Sequence, residues 1–177
     1  RALRANVIAK SGKAVETAGD VDVLLLDKTG TITIGNRKAT HFYAADNVDE
    51  KHFVQCAVLA SMADETPEGK SIIELAGINS ASYPVNNPRF VSFTAETRSS
   101  GIDFDSTRIR KGAYDAIKKL VEKAGNTVPP EIMQKVKDTA VNGGTPLVVS
   151  ENEKAIGVIE LQDVIKPGIQ ERFQRLH

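Results

Sequence analysis

The chain has 177 residues, of which 41% are hydrophobic, a composition typical of a globular protein rather than a disordered or fibrous one. Basic and acidic residues both number 23, so the formal charge is zero and no basic field favours nucleic acid as a partner. No apolar run approaches the ~18 residues of a membrane helix, and the N-terminus lacks the apolar core of a signal peptide. We expect the chain as given to be soluble.

The first part of the chain combines a polar or helical lead-in, SGKAVETAG, with the near-continuous apolar run VDVLLL. Such a run is typical of a parallel strand that is covered on both faces, so we predict a strand that ends at Asp27.

Two helices are predicted after this strand. The first lies in VDEKHFVQCAVLASMA behind possible caps Asp46 and Asp49, and the second lies in TPEGKSIIELAG, between Pro67 and Gly77.

The second half opens with a loop, YPVNNP, followed by short β-prone runs in RFVSFTAETRSSGIDFDSTRIRKG. These runs, with a turn at Asp105 and Ser106, predict antiparallel hairpins. Helical spacing then predicts one helix in AYDAIKKLVEKAG and another in PEIMQKVKDTAV. The segments TPLVVS and AIGVIEL predict a further hairpin around ENEK, and QERFQRLH predicts the start of a helix.

The order of these elements indicates an inserted domain. Strands of parallel type, VDVLLL and GVIEL, would enclose the antiparallel sheet and its helices, and a lone strand of that type needs a larger sheet to satisfy its backbone. We therefore predict an α/β class with an α+β insertion, and a chain that is a piece of a longer protein. The predicted boundaries are 1–35, 36–154 and 155–177.

Asp27 is the first candidate functional residue, because an acid at the carboxyl end of a buried parallel strand lies where open α/β sheets bind ligands. The following KTGT supplies a tight turn at Gly30, with backbone amides and two hydroxyls that can cradle a phosphate. A carboxylate can attack phosphorus to give an acyl phosphate when Mg²⁺ and a cation meet the charge. The alternative is a turn aspartate in a polar loop. Lys28 would point to the other side of a continued strand, so we expect it to support the fold.

The heptapeptide DKTGTIT resembles the phosphorylation motif of P-type ion-pumping ATPases. The resemblance implies that Asp27 is the catalytic phosphate acceptor and a metal ligand. It also implies that Thr29 is a Mg²⁺ ligand through its backbone oxygen and that Thr31 lies close to the phosphate. Related soluble phosphatases carry a second aspartate two places after the first, as a general acid and base. Thr29 occupies that place here, which favours a long-lived aspartyl phosphate over a simple phosphatase.

Two further segments, RFVSFTAETRSSG and IRKGAYDAI, are similar to the nucleotide-binding domain of Kdp-type potassium-importing ATPases, specifically their catalytic B subunit. The resemblance implies that Phe93 stacks on adenine and that Lys111 meets phosphate. Without it, Phe93 would more often be a core residue, and Lys111 with Gly112 would be a hairpin end. The implied nucleotide-binding residues are Phe93, Ser100, Lys111, Asp115, Glu65 and Asp163.

Glu65 has an alternative interpretation as an exposed acid favoured by a helix N-terminus. Asp163 lies in ELQDVIKPG, which resembles the hinge by which the family's chain returns to the phosphorylation domain, and would approach the ribose with Lys166 nearby. A turn-opening aspartate is the alternative for this residue. Heavy-metal pumps carry a histidine-proline pair at the helix where this chain has Thr66 and Pro67, which favours the Kdp-type branch.

The histidines and the cysteine do not indicate a metal site. His41, His52 and His177 are far apart and share no recognised spacing with cysteine, so we expect no zinc or copper site. Cys56, the only cysteine, lies in the apolar run FVQCAVLASMA and is predicted to be a buried structural thiol in a reducing compartment.

The resemblance as a whole implies an antiparallel sheet flanked by helices, with pieces of a HAD-like phosphorylation domain at both ends. It implies a cytosolic domain of a prokaryotic cell-membrane pump that uses ATP and Mg²⁺ to import potassium. Potassium-channel-like and small accessory subunits would be its partners. Because the family's downstream magnesium and lysine loops have no counterpart here, we expect ATP binding with little or no turnover. The alternatives are the same domain of a pump for another cation, or an interaction module without nucleotide function.

Overall fold

A computed structural model describes residues 8–77 and 85–175. Within these ranges, six strands form one antiparallel sheet in the order β1-β6-β5-β4-β3-β2. The strands are β1 Thr33–Ala44, β2 Arg89–Val91, β3 Ser99–Phe104, β4 Thr107–Gly112, β5 Thr145–Glu151 and β6 Lys154–Ile165. The helices are α1 Gly12–Thr17, α2 Glu50–Leu59, α3 Pro67–Ala76, α4 Tyr114–Lys123, α5 Pro130–Val141 and α6 Ile169–Gln174. None of these helices has the length and apolar character of a membrane span.

The ends of α2 and α3 follow from local sequence. The Asp49 carboxylate accepts a backbone N–H of the first turn of α2 at 3.0 Å, so Asp49 rather than Asp46 is the cap. The Thr66 hydroxyl does the same for α3 at 3.1 Å, and Pro67 takes the first helical position. Gly77 ends α3 with a left-handed φ of 63°. These contacts confirm both predicted helices.

The helices cover both faces of the sheet. Side chains alternate between the faces of a strand, so Val149 and Ile159 pack with Phe53 under α2 and α3. Their neighbours Val148 and Val158 pack against α4 and α5 on the opposite face. The predicted helices at α4 and α5 and the predicted hairpins β3–β4 and β5–β6 are confirmed. The structure therefore has three layers, with the sheet in the middle.

The predicted parallel strand at VDVLLL is wrong. Residues 21–26 form no strand, and the Leu25 side chain is 90% exposed. A strand requires a neighbour for its backbone groups, and none of the described segments pairs with these residues. GVIEL is also not a parallel strand, because β6 runs antiparallel to both β1 and β5. Its continuous apolar character instead reflects helices packed on both faces.

Strand β1 was not predicted. It lies at one edge of the sheet, its buried positions are Thr33 and Ala39, and its register shifts twice against β6. These irregularities remove the alternating pattern that identifies a strand from sequence. The predicted boundary between residues 35 and 36 lies within β1, and the one between 154 and 155 lies at the start of β6. Of the predicted loop YPVNNP, residues 83–84 lie outside the described ranges, as do residues 176–177 of QERFQRLH.

Candidate functional site

A cleft of about 370 Å³ opens on the face of the sheet that α2 and α3 cover. Phe93, Ser100 and Lys111 line it, and Leu147 and Leu161 form an apolar part of its wall. A neighbouring hollow of about 400 Å³ shares Phe93 and Ser100 and is also lined by Glu65. The fold thus brings together four residues that the sequence places far apart: Glu65, Phe93, Ser100 and Lys111.

Phe93 presents an aromatic face to the cleft. It lies in the segment after β2, and its side chain is 60% exposed, which does not fit the alternative of a core phenylalanine. Ser100 and Lys111 are direct partners in the β3–β4 ladder, and both are buried. An apolar ring at the mouth and polar groups at the back are the two features that a nucleotide requires.

Lys111 is held by two residues from the segment between α2 and α3. Its Nζ donates to Asp64 Oδ2 at 2.6 Å and to Ser61 Oγ at 2.8 Å, and its side chain is 3% exposed. An ammonium group has three N–H donors, so one donor is left over from these two contacts. Burial lowers the pKa of Lys111 below its usual value, and the Asp64 carboxylate opposes that effect.

Asp64 is held in turn by its own loop. Its Oδ1 accepts the Thr66 backbone N–H at 3.1 Å and the Thr66 hydroxyl at 2.6 Å. Burial alone would raise the pKa of Asp64, but the hydrogen bonds from Lys111 and Thr66 hold this pKa below its usual value. A Cβ at Gly69 would lie 2.5 Å from Asp64 Cγ, so only glycine leaves room for this carboxylate.

Sequence reasoning selected Glu65 and missed Asp64. The signal was present in the D-x-T-P order, because an aspartate two residues before a capping threonine commonly forms such a turn. Two arginines at the cleft, Arg37 and Arg98, were also missed, since an arginine in a polar run carries no pattern of its own. Asp115 does not line the cleft, but its Oδ2 lies 4.0 Å from Nη1 of Arg98, at the rim.

The DKTGT motif forms an irregular turn, Lys28–Ile32, directly before β1. Gly30 adopts a φ of 76°, a left-handed conformation that favours glycine. The buried Thr33 side chain closes the turn, because its hydroxyl donates to the Lys28 carbonyl at 3.3 Å and accepts the Gly30 N–H at 3.4 Å. We call residues 27–33 the acceptor loop, after the candidate acceptor Asp27. Its three candidate site residues are all exposed: Asp27, Thr29 and Thr31.

An ion-pair chain connects the acceptor loop to the cleft. Lys28 Nζ lies 2.7 Å from Asp163 Oδ2, and Arg37, which lines the cleft, places Nε 3.5 Å from Asp163 Oδ1. The hydrogen bond from Lys28 is the main reason that the pKa of Asp163 lies below its usual value. Lys166 donates to the Gly30 carbonyl. Asp163 therefore lies beside the acceptor loop and does not itself line the cleft.

His52 lies close to Cys56, contrary to the expectation that no histidine shares a recognised spacing with the cysteine. His52 and Cys56 are four residues apart on α2, and Nε2 of His52 lies 3.6 Å from the Cys56 sulfur. The predicted burial of Cys56 is confirmed. Burial, together with the charge of Glu151, raises the pKa of Cys56 to about 12.

A model of the haloacid dehalogenase-like hydrolase family matches residues 21–177. The chain belongs to this family. It is 55% identical to the potassium-transporting ATPase ATP-binding subunit of Deinococcus radiodurans and 53% identical to that of Xanthomonas campestris pv. campestris. These matches cover 99% of the chain and 26% of each relative, so the chain spans about a quarter of the relatives' length. They confirm the resemblance seen in the sequence.

Solved structures share the fold at low identity. A zinc-transporting PIB-type ATPase in its E2.Pi state has a TM-score of 0.62 at 18% identity, covering 84% of this chain and 23% of that one. The catalytic domain of the CPx-ATPase CopB-B has a TM-score of 0.56 at 17% identity, with 96% and 55% covered. The N-domain of HMA8, a copper-transporting P-type ATPase, scores 0.50 at 15% identity, with 69% and 97% covered. The predicted fold class is confirmed.

Proposed function

We propose that the chain is the ATP-binding part of a potassium-importing P-type pump and that its cleft holds the nucleotide. The observation that carries this proposal is the convergence of the exposed Phe93 ring and the buried Lys111 cation on one cleft. A nucleobase stacks on an aromatic face, and phosphate oxygens accept from cationic donors. The ATP-binding subunits that are 53–55% identical to this chain support the same assignment.

In this proposal each residue of the cleft has its own role. Phe93 stacks on adenine, while Ser100 and the remaining N–H of Lys111 contact the nucleotide from the back of the cleft. Arg37 and Arg98 supply further positive charge for the phosphates. Glu65 borders the adjoining hollow and Asp115 contacts the rim through Arg98. For Asp163, expected at the ribose, the ion pairs favour a role in holding the acceptor loop.

Asp27 is the proposed acceptor of the γ-phosphoryl group. One carboxylate oxygen would form a bond to the γ-phosphorus while the bond to the oxygen bridging the β- and γ-phosphorus breaks, giving an aspartyl phosphate and ADP. The Thr31 hydroxyl would donate to the transferring phosphate. The Asp27 carboxylate and the Thr29 carbonyl are hard oxygen donors of the kind that Mg²⁺ prefers, and a bound Mg²⁺ would neutralise phosphate charge.

The remaining parts of the proposal concern the whole protein. The expected boundaries after residues 35 and 154 divide β1 and separate β6 from its sheet, so the nucleotide-binding part would instead run from the start of β1 to the end of β6. The residues before β1 would open the phosphorylation domain, and the residues after β6 would form the return hinge. The aspartyl phosphate would drive potassium import at a prokaryotic cell membrane, with this domain on the cytosolic side. A potassium-channel-like subunit and small accessory subunits would complete the pump. The names of the relatives support potassium as the transported ion.

An NMR titration of the chain with ATP tests the nucleotide assignment. Backbone signals of Ser100, Lys111 and their neighbours are expected to shift saturably, because these residues line the cleft. Signals at the far end of the sheet, around Asn152 and Glu153, serve as the internal control because they line a different hollow. An unshifted spectrum of a folded sample at millimolar ATP would contradict the proposal.

A further inference from the structure

Three potential metal ligands converge where α2 packs against the end of β5, away from the nucleotide cleft. His52 and Cys56 lie one turn apart on this helix, and Glu151 lies at the end of β5. His52 Nε2 is 2.9 Å from Glu151 Oε2 and 3.6 Å from the Cys56 sulfur. The Cys56 sulfur is 3.9 Å from Glu151 Oε1. None of the three residues lines the cleft or its adjoining hollow.

The separation between the sulfur and the imidazole nitrogen fits a tetrahedral metal ion. Zinc binds sulfur at ~2.3 Å and nitrogen at ~2.05 Å, so two such ligands at a tetrahedral angle lie ~3.6 Å apart. The Cys56 sulfur and His52 Nε2 have this separation. Glu151 directs one oxygen to each of the other two side chains, and a small rotation of its carboxylate would adjust both distances.

Burial also differs among the three groups in a way that suits metal binding. Cys56 is only 1% exposed and lies between α2 and the sheet, whereas the His52 side chain is 45% exposed. An ion can therefore reach the cluster from solvent and meet the sulfur at the back. The ligand set of one thiolate, one imidazole and one carboxylate is the borderline-soft set that zinc accepts.

We propose that His52, Cys56 and Glu151 bind a divalent metal ion of the zinc class and that this ion ties α2 to the end of β5. The three side chains supply three ligands, and water supplies a fourth at the exposed side. On binding, the Cys56 S–H bond breaks, the sulfur donates its electron pair to the metal, and the proton passes to solvent. The site is structural and is independent of the nucleotide cleft.

Cobalt(II) is the probe, added to the reduced 177-residue chain without an affinity tag. One equivalent is expected to give a thiolate-to-cobalt charge-transfer band with the visible bands of tetrahedral cobalt, and Zn²⁺ is expected to abolish them. His52→Ala is expected to weaken cobalt affinity by at least ~10-fold, because loss of a direct ligand costs no less than loss of its supporting contacts. His41→Ala is the matched control, since His41 lies on β1 outside the cluster.

A second readout uses thermal unfolding. Zn²⁺ is expected to raise the Tm of the native chain and of His41→Ala by more than that of His52→Ala, since a ligand stabilises the folded state in proportion to how tightly that state binds it. Cys56→Ser is expected to abolish the thiolate-to-cobalt band. If that variant does not fold, Glu151→Gln changes the half-buried carboxylate ligand instead and is expected to weaken cobalt affinity. A folded, reduced chain with no charge-transfer band at equimolar or millimolar cobalt would overturn the proposal, as would equal affinity in His52→Ala.

Discussion

The Nζ atom of Lys111 lies 2.6 Å from Oδ2 of Asp64, and this ion pair joins the central sheet to the segment between α2 and α3. The lysine is buried, whereas the aspartate side chain is 13% exposed. The cation that faces the cleft is therefore positioned by a carboxylate that sequence reasoning did not select. The same contact therefore links a cation that lines the cleft to the packing of the sheet against this segment.

Removal of Lys111 alone should destabilise the fold. Lys111→Met leaves the Asp64 carboxylate partly buried without its partner, and we expect a loss of ~3 kcal/mol in the free energy of unfolding. The double variant Lys111→Met with Asp64→Leu should recover much of this loss, because an apolar pair of similar volume can replace a buried ion pair. Urea unfolding measures both. A double variant less stable than the single one would contradict this account.

The pH dependence of stability should identify the Asp64 carboxylate. Its pKa is lower in the folded chain than in the unfolded chain, so its stabilising contribution is complete above the unfolded carboxyl pKa of ~3.9. The contribution is lost as the pH falls through the lowered folded pKa. The stability difference between the native chain and Asp64→Asn should therefore be constant from about pH 5 to neutral pH and shrink below about pH 4. A difference independent of pH would refute this assignment.

A methyl group at Gly157 should strain the core. A Cβ there would lie 2.5 Å from the Tyr43 carbonyl oxygen and against the Phe53 ring. We expect Gly157→Ala to cost ~1–3 kcal/mol in urea unfolding, the usual range for overpacking. Gly12→Ala is the control, because a Cβ at that exposed helical position meets no atom within 4 Å. Equal effects of the two substitutions would show that packing against Phe53 is not the cause.

The contact between Lys28 and Asp163 should order the acceptor loop without adding much stability. An ion pair whose lysine side chain is 52% exposed is screened by solvent and contributes only ~0–1 kcal/mol, so Asp163→Asn should leave the urea midpoint nearly unchanged. Amide hydrogen exchange in Lys28–Ile32 should nevertheless become faster. Glu153→Gln, which removes a comparable pair with Arg108 elsewhere, is the control. Unchanged exchange in Asp163→Asn would mean that the pair does not hold the loop.

The helices that were predicted correctly are marked by residues at their own ends. Asp49, Thr66 and Pro67 mark helix starts by chemistry within one turn of the chain. Strand β1 lacks such a signal, because it is a largely exposed edge strand with two register shifts. The run VDVLLL carries a strong signal for a strand, but none of the described residues supplies its partner.

The residues of the candidate site likewise fall into two groups: those that the sequence indicated, and those that only the fold brings to the site. Phe93, Ser100 and Lys111 were selected through resemblance to a family, and the fold brings them to one cleft. Asp64 lies 47 positions from Lys111, and no periodicity or motif connects residues at that distance. The contact of His52 with Cys56 was visible as an i, i+4 pair, but Glu151 joins them only through the fold.

Isothermal titration calorimetry with ATP on the native chain, Phe93→Ala and Phe90→Ala tests the central claim most directly. Phe90 is a matched control, because it is an exposed phenylalanine of the neighbouring strand that lines neither the cleft nor its adjoining hollow. We predict one ATP per chain and an affinity that falls about 5- to 160-fold in Phe93→Ala, the value of one stacked base, with no change in Phe90→Ala. Equal affinities in all three folded proteins, or no binding to the native chain, would contradict the account.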